Sequence, residues 1–196
     1  MDEIDSKALR RLVDRQDILD CLTRYCRGVD RLDKQLLLSA YHPDARDDHG
    51  VFVGNPEAFW DWVHGVHSAG QKLTMHTILN HTCEIEGDVA HSETYCIFYG
   101  QNVDDSFDIV GNRYIDRLER RDGEWRIADR VCASEWFRAL YPNQDASPFF
   151  LSAMHQLMTN ATVARSREDV SYIRPFTVER GAGPAVTSES GANDVF

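Results

Sequence analysis

The hydrophobic pattern of this chain changes period once, near Leu73, and that change constrains the order of its layers. Before it, apolar residues recur at spacings of three and four, as on helices with one buried face. After it they alternate, as on strands half-buried in a sheet. The first segment predicts a helix from about Ser6 to Arg31, with Leu9, Leu12, Val13, Leu19, Leu22, Cys26 and Val29 on one stripe. A second short helix, Asp33 to Tyr41, stops ahead of His42-Pro43, because the residue before a proline avoids helical geometry. Residues 44–54 read as a polar loop with a short hairpin. A third helix, Pro56 to Ala69, has Asn55 as its N-cap and is expected to bury Phe59, Trp60, Val63 and either Val66 or His67. Four strands follow: Thr74 to Glu86, Val89 to Asn102, Phe107 to Arg120 and Glu124 to Trp136. Gly87-Asp88 separates the first two, and Asp122-Gly123 suits a tight turn between the last two. Helices first and antiparallel strands afterwards is an α+β order, not an alternating one.

A chain of 196 residues makes one domain with room for a core and a pocket. That domain is expected to span residues 1–177, with its core over about 9–136 and the segment 137–177 covering the pocket or a neighbour. Within that segment Phe149 to Thr162 reads as one more helix, and 178–196, rich in Gly, Ser, Ala and Thr, as a disordered tail. A net charge of −11 repels phosphate backbones, which argues against nucleic acid as a partner. No run of about 18 apolar residues predicts a membrane span. The polar start, MDEIDSKALRR, lacks the apolar stretch of a secretory signal. Five cysteines, an odd number without metal or redox spacing, fit a reducing compartment. A cytoplasmic location is expected.

Four stretches carry a family resemblance: YCRGVDRLD, YHPDARDDHG, MHTILNH and GNRYIDRLERRDGEWRI. Together they resemble the SnoaL-like branch of the nuclear transport factor 2-like superfamily, over roughly Leu9 to Trp136. The resemblance implies a cone-shaped α+β barrel, with three N-terminal helices packed on a curved, mostly antiparallel sheet. It also implies a homo-oligomer, a trimer by analogy with the dehydratase members, though dimers occur. Within the branch the chain is most similar to scytalone dehydratase, bile-acid dehydratase and hexachlorocyclohexane dehydrochlorinase. Those enzymes carry an Asp at the end of the first helix and a His on the first long strand. Asp30 and His76 match them, and Tyr25 matches a pocket tyrosine of the bile-acid type. Tyr25 stands where the dehydrochlorinases have a lysine, and Asp47 where they have a tryptophan.

The chemistry so implied is elimination. A neutral His is a suitable base near neutral pH, and a carboxylate on its other ring nitrogen fixes the tautomer. His76 is therefore the expected base, Asp30 its partner and Tyr25 the donor to the leaving group. His49, Asp47, Asn80, Tyr99, Arg113 and Trp136 are candidate substrate contacts. Arg113 is a clamp if it faces inward, or an interface residue if it faces outward. His76 and His81, five apart on a strand, are expected on opposite faces. No metal is expected from Asp44, Asp47, Asp48 and His49, whose spacing matches no metal site. The expected function is a cofactor-independent lyase or dehydratase for a hydrophobic cyclic or aromatic molecule, with cleavage of a carbon–carbon bond in a hydroxylated aromatic side chain within its reach. An isomerase or polyketide-cyclase-like enzyme with the same pair is one alternative. A ligand-binding protein or a partner like the small subunit of a ring-hydroxylating dioxygenase is another.

Overall fold

The computed structural model describes residues 3–140, 161–164 and 166–178. The chain runs α1 (Glu3–Asp30), α2 (Lys34–Ser39), β1 (Tyr41–Asp48), β2 (Val53–Gly54), α3 (Pro56–Gly70), β3 (Gln71–Glu86), β4 (Val89–Asn102), β5 (Phe107–Arg121) and β6 (Glu124–Leu140). The strands form one sheet in the order β2-β1-β6-β5-β4-β3, antiparallel except where β1 runs parallel to β6. Three helices pack on one face of this curved sheet, the α+β architecture that the sequence predicts. The cone is not closed, because β2 and β3 are left as its two edges.

Local chemistry explains most element ends. Asn55 accepts a hydrogen bond from the Ala58 amide at 2.9 Å, and Asp33 caps α2 through the Leu36 amide at 3.0 Å. Asp122 and Gly123 both have positive φ, 53° and 84°, as a tight hairpin turn demands. Gly28 lets α1 and α2 touch, since a Cβ there would stand 2.5 Å from the Leu37 backbone nitrogen. That contact sets the end of α1, where Asp30 sits.

Three expectations need correction. The apolar stripe of α1 is buried only from its middle onward: Ile18, Cys21, Leu22 and Val29 are in the core, whereas Leu9, Leu12 and Val13 are 52%, 66% and 42% exposed. The stretch YHPDARDD is strand β1, not loop. Burial runs on both of its faces, so no alternation betrays it, and Pro43 lies where the pairing with β6 is interrupted between Tyr41 and Arg46. His81 shares a face with His76. Ile78 pairs with Cys96 and His81 with Thr94, so one extra residue at Leu79-Asn80 bulges out and inverts the parity of β3.

The other face of the sheet is covered in part by the segment after β6. Val170, Phe176 and Val178 pack on Val53, Ile115, Val131 and Ala133. Arg113 pins this strap. Its guanidinium bonds both oxygens of Asp169, at 2.9 and 2.8 Å, and also Glu93 and Glu135. Burial works to raise the Asp169 carboxyl. Arg113 and the amides of Ala164 and Ser171 more than offset it and hold the group well below the usual range. A depressed carboxylate stabilises above its unfolded pKa of about 3.9, and the contribution fades as pH falls below that value. Arg113→Met is therefore expected to speed amide exchange at Val170 and Phe176 roughly ten- to a hundredfold. Acid below about pH 4 is expected to act in the same direction. Unchanged protection in the variant would show that apolar packing alone holds the strap. The expected helix from Phe149 and most of the expected tail lie outside the described residues.

Candidate active site

Asp30 and His76 meet between the end of α1 and the start of β3. The imidazole Nδ1 of His76 is 2.6 Å from one Asp30 oxygen, and the His76 amide donates to the other at 2.8 Å. One carboxylate thus holds both the ring and the backbone of the residue it orients. Only about a tenth of either side chain is exposed, 8% for His76 and 10% for Asp30. Burial would raise the Asp30 carboxyl, but the His76 ring and amide, with the Thr74 hydroxyl, outweigh it and keep it below the usual range. An ionised Asp30 accepts from Nδ1–H, which leaves the lone pair on Nε2.

Tyr25, one turn before Asp30 on α1, stands beside this pair, with its ring centroid 6.4 Å from that of His76. Its hydroxyl does not touch Asp30. It meets Nε2 of His49 at 3.1 Å. The other ring nitrogen of His49 bonds Asp47, whose second oxygen accepts the Tyr41 hydroxyl. Asp47 is fully buried, and His49 is 9% exposed against Phe59. Both were expected to touch substrate. Asp47 has no exposed surface to offer a ligand, whereas His49 lies between Tyr25 and Phe59.

Sequence reasoning missed Arg130. It is fully buried on β6, directly across from Asp116 on β5, and bonds that carboxylate through two nitrogens at 2.7 and 2.9 Å. Its guanidinium lies 4.2 Å above the Tyr25 ring and 4.1 Å from the Tyr114 ring. Burial pushes the Tyr25 phenol well above its ordinary range, while the Arg130 charge works against that shift. The available cue was an Arg in mid-strand followed by an apolar run, ADRVCA, matched by Asp in YIDRL.

The remaining candidates lie elsewhere. Tyr99 belongs to the face of β4 opposite Cys96 and Phe98, and Asn80 sits in the exposed bulge. Trp136 lies over Gly111 on the outer face, 44% exposed. Arg113 faces outward into the strap and is saturated by carboxylates. None of these four joins the dyad.

His67, at the end of α3, does face this region. With Asp30, Gln71 and Thr74 it lines a cleft of about 240 Å³. Its Nδ1 is buried and has no hydrogen-bond partner among the described residues. Burial, with the nearby His76, pushes its imidazole down to about 4. A lowered histidine destabilises the fold as pH falls below its unfolded value of about 6.5, because the unfolded chain binds the proton first. His67→Asn is therefore expected to remove roughly 2 kcal/mol of the stability lost between pH 7 and 5, read by urea unfolding at both values. The same pH slope in the variant would show that the proton is bound elsewhere.

A model of the SnoaL-like domain matches residues 10–131. The chain belongs to that family. Among solved structures it is similar to a type 2 hexachlorocyclohexane dehydrochlorinase (LinA), at 25% identity over 72% of this chain and 98% of that one, with a TM-score of 0.64. A LinA type 3 from Novosphingobium barchaimii is 24% identical over 72% and 99% of the two chains, also at 0.64. A scytalone dehydratase-like protein of Novosphingobium aromaticivorans shares the fold at 17% identity, covering 70% of this chain and 97% of that one, at 0.60. No functionally curated protein matches the chain in sequence. Among the described residues no helix is long and apolar enough to cross a membrane.

Proposed function

We propose that this SnoaL-like protein is a lyase that removes water or another small leaving group from a hydrophobic, hydroxylated cyclic or aromatic molecule. The observation that carries the reading is the buried His76–Asp30 pair, with a lone pair left on Nε2 in a water-poor setting. Elimination is redox-neutral, so a base and a proton donor suffice. Nε2 of His76 takes a proton from carbon, the electron pair forms the double bond, and the leaving oxygen departs with a proton from the Tyr25 hydroxyl. Asp30 balances the imidazolium that forms. The surrounding rings, Tyr25, Phe59, Phe98 and Trp62, suit an aromatic or alicyclic body. The unpartnered Nδ1 of His67 offers a hydrogen bond to a substrate oxygen. Two of the structural relatives are named for eliminations, a dehydrochlorinase and a dehydratase-like protein, which supports the same class.

The test is a screen of the purified protein, without added cofactor, against hydroxylated aromatic and alicyclic compounds by mass spectrometry. Loss of water or a small fragment with wild type, and not with His76→Ala, supports the reading. A rearranged product of unchanged mass replaces it with an isomerase using the same base. Tight binding without turnover by either protein replaces it with a ligand-binding role.

A further inference from the structure

A second Asp–His pair lies within one residue's reach of the first. Asp47 accepts from Tyr41 and holds Nδ1 of His49, and Nε2 of His49 meets the Tyr25 hydroxyl at 3.1 Å. Tyr25 in turn neighbours His76. The chain of contacts runs Tyr41, Asp47, His49, Tyr25, and every member is 9% exposed or less. A buried carboxylate, imidazole and two phenols in series are costly to assemble for packing alone, since apolar residues of similar size would fill the space without desolvating a charge. The sheet register holds the chain rigidly. Asp47 pairs with Arg130 across β1 and β6, and Asp48 fixes the turn by accepting the Gly50 amide at 2.8 Å.

We propose that His49 is the proton reservoir of the acid arm and that Asp47 and Tyr41 are positioning residues for it. The proposal rests on the elimination reading and assigns the leaving-group side of that reaction. With the proton on His49, Nε2–H donates to the Tyr25 oxygen and the phenolic hydrogen is free to point at the leaving oxygen. As the carbon–oxygen bond breaks, that oxygen takes the Tyr25 proton and Tyr25 takes the proton from Nε2 of His49. The net result is one proton gained by His76 and one lost by His49, so the protein's charge is unchanged and solvent resets both rings after product leaves. Arg130, stacked on the Tyr25 ring, stabilises negative charge on the phenol oxygen during the transfer. Two Asp–His pairs thus do opposite work, one accepting from carbon and one supplying oxygen. The leaving group this device serves is a poor one, a hydroxide or alkoxide that departs only when protonated. A halide needs no such arm.

Leaving groups provide the test. The phenyl and para-nitrophenyl ethers of 4-hydroxybutan-2-one present the same acidic C–H, but nitrophenolate departs without a proton and phenolate departs far more easily with one. His49→Gln is expected to lower kcat on the phenyl ether about a hundredfold, within the range of general-acid catalysis, and to leave the nitrophenyl ether within about threefold of wild type. Asp47→Asn is expected to follow the same pattern, and His76→Ala to lose both reactions. A merely structural role for His49 would depress both ethers together, and that result overturns the relay. So does full activity of His49→Gln on the phenyl ether. If wild type eliminates from neither ether, the elimination reading itself falls and the relay falls with it, which is distinct from failure of the relay alone.

Discussion

Replacing Arg130 by methionine is expected to destabilise the fold by about 3–5 kcal/mol. Neither Arg130 nor Asp116 has any exposed side-chain surface, and they share two hydrogen bonds. Removing the guanidinium leaves a carboxylate that water cannot reach, with Asp47 close by in the β1–β6 register. Burial already works to raise the Asp116 carboxyl, with Arg130 opposing it. Even with Arg130 in place burial wins and the carboxyl lies above its unfolded value; losing Arg130 would raise it further, so the variant would recover stability as pH falls and the group becomes neutral. Urea unfolding at pH 8 and pH 5 reads both effects. The double variant Arg130→Met with Asp116→Leu is expected to regain most of the loss, because a packed apolar pair carries no desolvation penalty. A loss under about 1 kcal/mol in the single variant would mean that water reaches the pair and that it behaves as a surface contact.

The layer order was legible because periodicity reports which faces are buried, and here the period changes only once. Turn chemistry was equally plain at Asn55-Pro56 and Asp122-Gly123, where a side-chain acceptor or a positive φ is needed locally. β1 was hidden for the converse reason: a strand buried on both faces and carrying Asp, Arg and His shows neither alternation nor an apolar run. The bulge at Leu79-Asn80 was hidden because it is set by pairing with β4, not by any property of Leu or Asn. It reversed the expected side of His81, whose Nδ1 now bonds the Thr94 hydroxyl at 2.8 Å on the inner face.

The site divides along the same line. Asp30 and His76 were found through family resemblance, since no spacing rule joins the end of a helix to a strand far along the chain. Asp47 and His49 were singled out for their chemistry, yet their task depends on Tyr25 and Tyr41 closing around them, which only packing decides. Arg113 and Arg130 show how far residue type falls short. Both are mid-strand arginines with carboxylate partners, and one residue's parity sends Arg113 to the strap while Arg130 enters the core beneath Tyr25.

Asp30→Asn is expected to cost about 10²–10⁴ in kcat/KM on the para-nitrophenyl ether. The amide keeps the shape of the carboxylate but reverses half of its bonding. Asp30 now accepts twice, from Nδ1–H and from the His76 amide. An asparagine oxygen that keeps the backbone bond turns its NH₂ toward Nδ1, which must then become an acceptor. The proton moves to Nε2, and the lone pair that would attack carbon is lost. Stability should fall far less, by roughly 1.5–3 kcal/mol for one charge-assisted contact, so the folded fraction at pH 7 stays high and the activity loss is chemical. Because Asp30 is held below the usual carboxylate range, it stays ionised as pH falls to about 4, and its contribution to stability is lost only below that. A wild-type activity that declines on the acid side above pH 5 is therefore not expected to come from protonation of Asp30. Activity of Asp30→Asn within about tenfold of wild type would assign Asp30 to holding the start of β3, and would move the search for the group that orients His76 elsewhere in the site.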